Sequence, residues 1–223
     1  HGSLTVAVEA LECPTLLRNG YGEHNIQGIG DKHVPLIHNV MATDIVVDIS
    51  DRATDSLFLL FNTDAGRVHL RDRMGVPEAT IAALASFGFS AICNVLAAIK
   101  VARQQQLGPR DVLATVATDG AEMYASEVGR LAARDFPGGF DAIAAAEVRA
   151  TYLDAIDTSD MLQCSREDRD RIFNLGYYTW VEQQGVPLDE FEARRSLDFW
   201  AETRQIVHRW DTMIEAFNAE VAA

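Results

Sequence analysis

Three short stretches hold the residues whose types and spacing could carry chemistry. The first is Gln27-Gly28-Ile29-Gly30, followed by His33-Val34-Pro35. Two glycines around one apolar residue leave no Cβ in the way, so the backbone there can approach a flat or charged ligand closely. A tight turn alone would also explain them. A dinucleotide fingerprint would need a third glycine, and His33 stands in its place. The second stretch is Gly88-Phe89-Ser90, opening a helix whose first amides would be free to face an anion. Ser90 also reads as a plain N-cap. It is not the nucleophile of a hydrolase elbow, because Ile92 occupies the last glycine position of G-x-S-x-G. The third is Thr118-Asp119-Gly120-Ala121-Glu122-Met123-Tyr124. Here a hydroxyl and a carboxylate follow an apolar β-like run, the end of a strand at which open α/β sheets bind ligands. An ordinary Asp-Gly turn is the plainer alternative.

Other constellations carry less. His24, His33 and His38 follow no helical or finger spacing, and no Cys or carboxylate set completes a tetrahedron, so no metal site is expected. Asp168 and Asp170 read as a solvated helix face. Only two lysines occur, Lys32 and Lys100. Lys100 falls inside an amphipathic helix, where a stem laid on apolar surface with its head in water is the expectation.

The elements that must position these groups alternate. Leu4–Glu9 and Asp44–Ser50 read as buried strands, with Asn19–Asp31 as Gly/Asn-rich loop between them. Asp51 is the expected N-cap of a helix to Asn62, and a short helix should run from Pro77 to about Ala85. Ser90–Gln106 has a strong helical period ended by Leu107-Gly108-Pro109. Asp111–Thr118 reads as a third strand, with a helix from about Glu122. Strand–helix–strand order implies an α/β domain, a partial open parallel sheet flanked by helices, over residues 1–136. Pro137-Gly138-Gly139 reads as a linker. Residues 140–223 then form an all-helical extension without a strand, in which Trp180, Trp200 and Trp210 serve packing.

The 223 residues carry a net charge of −14 and are 48% hydrophobic, which suits a globular protein and argues against a nucleic-acid partner. No apolar run approaches a membrane span, and the start shows no signal-peptide pattern. The absence of an initiator Met suggests a piece of a longer chain. Cys13, Cys93 and Cys164 are odd in number and widely spaced, as expected for a protein of the reducing cytoplasm.

Taken in order, these segments resemble those of fold-type II pyridoxal-phosphate enzymes of the cysteine synthase and tryptophan synthase beta superfamily. HNIQGIGDKHVPLIHN (24–39) is similar to the family's glycine loop beside the cofactor ring. DIVVDISDRAT is similar to the strand and helix start that follow. GFSAICNVLAAIKVA resembles its G-x-S-S/G-G-A helix, with Ala91 and Ile92 in place of smaller residues. VLATVATDGAEMYASE resembles the strand and turn ending in Glu-x-Tyr.

The resemblance covers about the first 130 residues. It implies pyridoxal 5′-phosphate as cofactor, with Gly28, Ile29 and Gly30 beside its ring and Ser90 near the site. Thr118 or Asp119 would stand at the pyridine nitrogen; a hydroxyl leaves that nitrogen largely unprotonated, whereas a carboxylate holds the proton. It further implies a small amino-acid substrate, β-elimination or β-replacement, and a homodimer or pairing with an N-terminal segment. The family's Schiff-base lysine and phosphate cradle lie upstream of the glycine loop, so no catalytic residue is expected in this chain. The alternative is a non-catalytic or split-subunit homologue that binds a partner chain.

Overall fold

A computed structural model describes residues 2–222, and the chain falls into two compact units. The larger comprises residues 6–32 and 45–163. Its sheet has strands β1 (Val6–Ala10) and β2 (Ile45–Ile49), paired in parallel with Glu9 opposite Asp48 and Ala10 opposite Ile49. Short β-branched runs such as these form strands where both faces are covered. A third strand, β3 (Met161–Gln163), pairs antiparallel with β2. The architecture is therefore α/β with a small mixed sheet in the order β1-β2-β3.

One sheet face, with Ala10, Ile45, Val47 and Ile49, belongs to the core together with Leu57, Phe58 and Leu60 of helix α2 (Asp51–Asn62). Nearly every residue of α2 from Ala53 onward is buried, as its run of Leu and Phe requires. After α2 come α3 (Asp64–Val68) and α4 (Glu78–Ala83), the latter entered through Pro77. Helix α5 (Phe89–Gln104) then adds Phe89, Ile92, Cys93, Leu96, Ala97 and Val101 to the core, at the three-and-four spacing of one helix face. Helices α6 (Ala125–Asp135) and α7 (Ala142–Arg149) complete this unit.

Four local expectations change. Ser50, not Asp51, caps α2, its hydroxyl accepting the Ala53 amide at 3.2 Å. Gly88 occupies the N-cap of α5, so Ser90 is an interior residue of its first turn with no capping bond. Asp111–Thr118 forms no strand, and Val112 is 91% exposed. A strand needs a neighbour for its amides and carbonyls, and beyond the Asp111 turn with Gly108 the segment has Asn94 Nδ2 donating to the Val116 carbonyl at 2.9 Å. The third strand comes instead from Met161–Gln163, inside the region expected to be wholly helical. Pro137–Gly139 lies within this unit, whose last boundary falls between residues 163 and 164.

The smaller unit comprises residues up to Thr5, His33–Asp44 and Cys164 onward. Helix α8 (Arg166–Tyr177) opens with a reciprocal cap between Ser165 and Asp168. Its Arg169 reaches the Thr43 carbonyl and the Asp44 carboxylate, at 2.7 and 3.0 Å. Helix α9 (Leu188–Ala193) buries Phe191 against Phe173 of α8, with ring centres 4.6 Å apart. Trp180 donates to the Val34 carbonyl and Trp200 to that of Arg194, both at 2.7 Å, so these two rings serve packing. Helix α10 (Leu197–Val221) buries no residue, and Ile206, Trp210, Met213 and Phe217 leave an apolar stripe along it, Trp210 being 53% exposed. No single helix among the described residues is long and apolar enough to cross a membrane.

Candidate functional site

The glycine loop turns as its composition requires. Gly28 and Gly30 both have φ of +80°, which side chains with a Cβ rarely adopt. A Cβ on Gly28 would meet nothing within 4 Å, whereas one on Gly30 would sit 3.1 Å from the His24 ring. Ile29 between them is half-buried and packs on the core.

The other two stretches meet directly. The Gly88 amide donates to the Asp119 carbonyl at 2.8 Å, and a Cβ on Gly88 would lie 2.8 Å from that oxygen and from the Tyr124 ring. Phe89 stacks on Phe58 at 4.5 Å and meets Tyr124 edge-on at 5.0 Å, which locks the start of α5 to the 121–124 turn. The Tyr124 hydroxyl donates to the Asp119 carboxylate at 2.9 Å, and burial together with this carboxylate raises its pKa. Gln27, Asn25, Phe89, Tyr124 and Arg130 line one cleft of about 210 Å³. Gln27 of the glycine loop, the start of α5 and the turn after residue 119 therefore border one space. Gly28 and Ile29 do not line that cleft, and Gly30 faces a different one beside Cys13, His24 and Lys32. Ser90 is buried, and Thr118 and Asp119 are exposed.

The cleft is aromatic-walled through Phe89 and Tyr124, the side of Gly28 is unoccupied, and neither Thr118 nor Asp119 lines the cleft. Neither lysine lines the cleft. No group of three metal-binding side chains forms among the described residues.

Sequence reasoning missed an ionisable cluster. Glu9 and Asp48 face each other across the parallel β1–β2 pair, 3% and 1% exposed. The Glu9 carboxylate accepts the Leu16 and Leu17 amides, at 3.0 and 2.9 Å, from helix α1 (Thr15–Arg18). Burial first, then the neighbouring Glu9 carboxylate, push the Asp48 carboxyl up to about 8, and burial raises Glu9 as well. A protonated Asp48 beside an ionised Glu9 satisfies both, since two adjacent buried carboxylates cannot both be charged cheaply. Lys100, expected at the surface, is only 6% exposed, and its ammonium donates to the Asp48 carbonyl at 3.2 Å. Burial lowers its pKa. The signal was present: Lys100 stands four residues after Leu96, on the apolar face of α5. No family model, no curated protein and no solved structure matches the chain.

Proposed function

We propose that this chain forms part of a pyridoxal-phosphate-dependent lyase or synthase of the fold-type II, cysteine synthase-like kind, acting by β-elimination or β-replacement on an amino acid. One observation supports this above the rest. Three segments far apart in sequence, each resembling a cofactor-bordering element of that family, converge: the Gly88–Asp119 bond joins two, and Gln27 brings the third to the same cleft. When bound, the cofactor supplies an electron sink that the protein aims and tunes. In this reading Gly28, Ile29 and Gly30 give it close backbone approach, Ser90 stands by the helix start, and Thr118 or Asp119 partners the pyridine nitrogen. The Schiff-base lysine and phosphate cradle come from elsewhere in the protein. Buried cysteines outside any disulfide fit a cytoplasmic location.

The test is spectroscopic. The complete gene product, purified with pyridoxal phosphate, is expected to show a visible cofactor band that borohydride abolishes, and Asp119→Ala or Thr118→Ala should shift it. The 223-residue chain alone should show none. Absence of the band from both would sink the catalytic reading.

The second reading, a non-catalytic or split-subunit homologue that binds a partner chain, draws support from two exposed features. These are the extended segment with Val112 and Val116 outward, and the apolar stripe of α10. A complete gene product without a cofactor band that nonetheless co-purifies with a second polypeptide would favour it.

A further inference from the structure

Beyond the cleft just described, the same unit holds a second cavity, of about 220 Å³. It lies where β1 and β2 end, bordered by Leu11 after β1 and by Ile49 and Ser50 after β2. In sheets with parallel strands, ligands collect at these carboxyl ends. Its remaining wall combines Leu96 and Lys100 of α5, Ala53 of α2, and the segment from Thr151 to Asp160.

The lining of this cavity carries charge of both signs. Lys100 makes a single hydrogen bond through its ammonium among the described residues, and the Asp160, Asp157 and Asp48 carboxyls act on it from beyond ion-pairing distance. An ammonium carries three donors, so two remain for a ligand in this half-open cavity. Ser50 and Ala53 at the start of α2 line the same cavity, and the helix adds its own positive end. The Ser50 oxygen already accepts the Ala53 amide, so its proton remains available to a ligand. Asp48 contributes little opposing charge, because its carboxyl is held protonated near neutrality. Asp157 and Asp160 supply the negative charge of the lining. Asp160 is engaged by Arg18. Asp157 is exposed, and one of its oxygens accepts both the amide and the hydroxyl of Ser159, at 2.9 and 2.6 Å; these bonds keep it ionised. Leu11, Ala53 and Leu96 add apolar surface to the lining.

We infer that this cavity is a binding site for a small aliphatic α-amino acid. The ligand's carboxylate meets Lys100 and the start of α2, its ammonium meets Asp157, and its side chain lies on Leu11 and Leu96. A simple carboxylate or a simple amine satisfies one sign of charge and leaves the other unmet, so the zwitterion is selected. The site shares no residue with the Gln27–Phe89–Tyr124 cleft and needs no cofactor, so its test is independent of the proposed catalytic role.

The experiment is calorimetric titration of the full chain, without pyridoxal phosphate, using L-alanine as probe, with acetate and ethylamine as single-charge controls. L-alanine is expected to bind and the controls to bind at least about tenfold more weakly, since each lacks one charge-assisted contact. Lys100→Met, which keeps the apolar stem, should weaken L-alanine about tenfold or more. Asp157→Asn lies on an exposed loop and tests the negative charge without threatening the fold; several-fold weakening is expected there. No heat with L-alanine overturns the inference. So does an affinity unchanged in Asp157→Asn, or acetate binding as tightly as L-alanine. If Lys100→Met unfolds, the Asp157→Asn and acetate results still decide.

Discussion

Replacing Asp48 by Asn should flatten the pH dependence of stability. The folded-state pKa of Asp48 is about 8 against an ordinary 3.8, so the folded protein holds a proton that the unfolded chain releases. Its contribution is fully present below about pH 4, declines as pH rises, and is lost once pH passes about 8. A shift of about four units, at about 1.4 kcal/mol each, sets an upper bound of about 6 kcal/mol on the loss. The proton is shared with Glu9, and structural relaxation softens buried charge, so a wild-type loss of about 3 kcal/mol between pH 5 and pH 9 is the working expectation. Asn keeps the shape, cannot ionise, and offers an N–H to the Glu9 carboxylate. The variant should therefore match wild type within about 1 kcal/mol at pH 5 and exceed it by about 2–3 kcal/mol at pH 9. Urea unfolding followed by circular dichroism at pH 5, 7 and 9 measures both slopes. Equal slopes in the two proteins would refute the shared-proton account of the β1–β2 pair.

Two other outcomes follow from burial. Arg194 is 4% exposed, and its Nε and Nη1 have no hydrogen-bond partner, its compensation coming from the Phe191 and Phe173 rings at 5.0 and 5.3 Å. Burial lowers its pKa, yet a guanidinium stays charged in proteins. Arg194→Met should therefore stabilise the fold by about 1 kcal/mol, because removing an uncompensated buried charge outweighs a lost cation–π contact of about that size, and a thermal melt should show a rise of about 2–4 °C. Cys13, Cys93 and Cys164 are all buried and outside any disulfide, with burial raising the Cys93 and Cys164 thiols. Iodoacetamide should leave all three unmodified in the folded chain and label all three in denaturant, as mass spectrometry would count; rapid native labelling of Cys93 would contradict its placement.

Where a segment's own residues carry its structure, the sequence reads well. LTVAVE and DIVVDIS became β1 and β2: every residue of β2 is buried, and those of β1 are half-buried or buried. The long period from Phe89 to Gln104 became α5 because Phe89, Ile92, Cys93, Leu96, Ala97 and Val101 fall on one face. The glycine loop took positive φ at Gly28 and Gly30, as the Gly/Asn-rich composition demanded. Capping positions were off by one or two residues, at Ser50 and Gly88, where several small polar residues in a row compete for one role.

The failures share a cause: each depended on a partner remote in sequence. DVLATVAT has strong β propensity, but propensity describes fit to a half-buried pleated surface, and no strand among the described residues lies beside it. MLQ, three residues long, is too short to signal itself and becomes β3 because the Ile45–Val47 edge of β2 accepts it. Glu9 and Asp48 look like ordinary polar interruptions of two strands; only the parallel register makes them neighbours.

Lys100 is the sharpest case. Helical spacing places it on the apolar face of α5, and the general behaviour of lysine places its head in water. The two expectations conflict, and the conflict is informative, since a residue that breaks the local pattern without an evident gain in packing marks a place where function or strain is to be sought. The structure resolves the conflict by giving the ammonium a cavity, one backbone carbonyl, and carboxylates in the same lining. The same logic extends to Asp48 and Glu9, polar residues at the core-side ends of apolar strands. All three lie at the carboxyl edge of the parallel pair, so the places where the chain departs from apolar patterning are also where this topology positions a ligand.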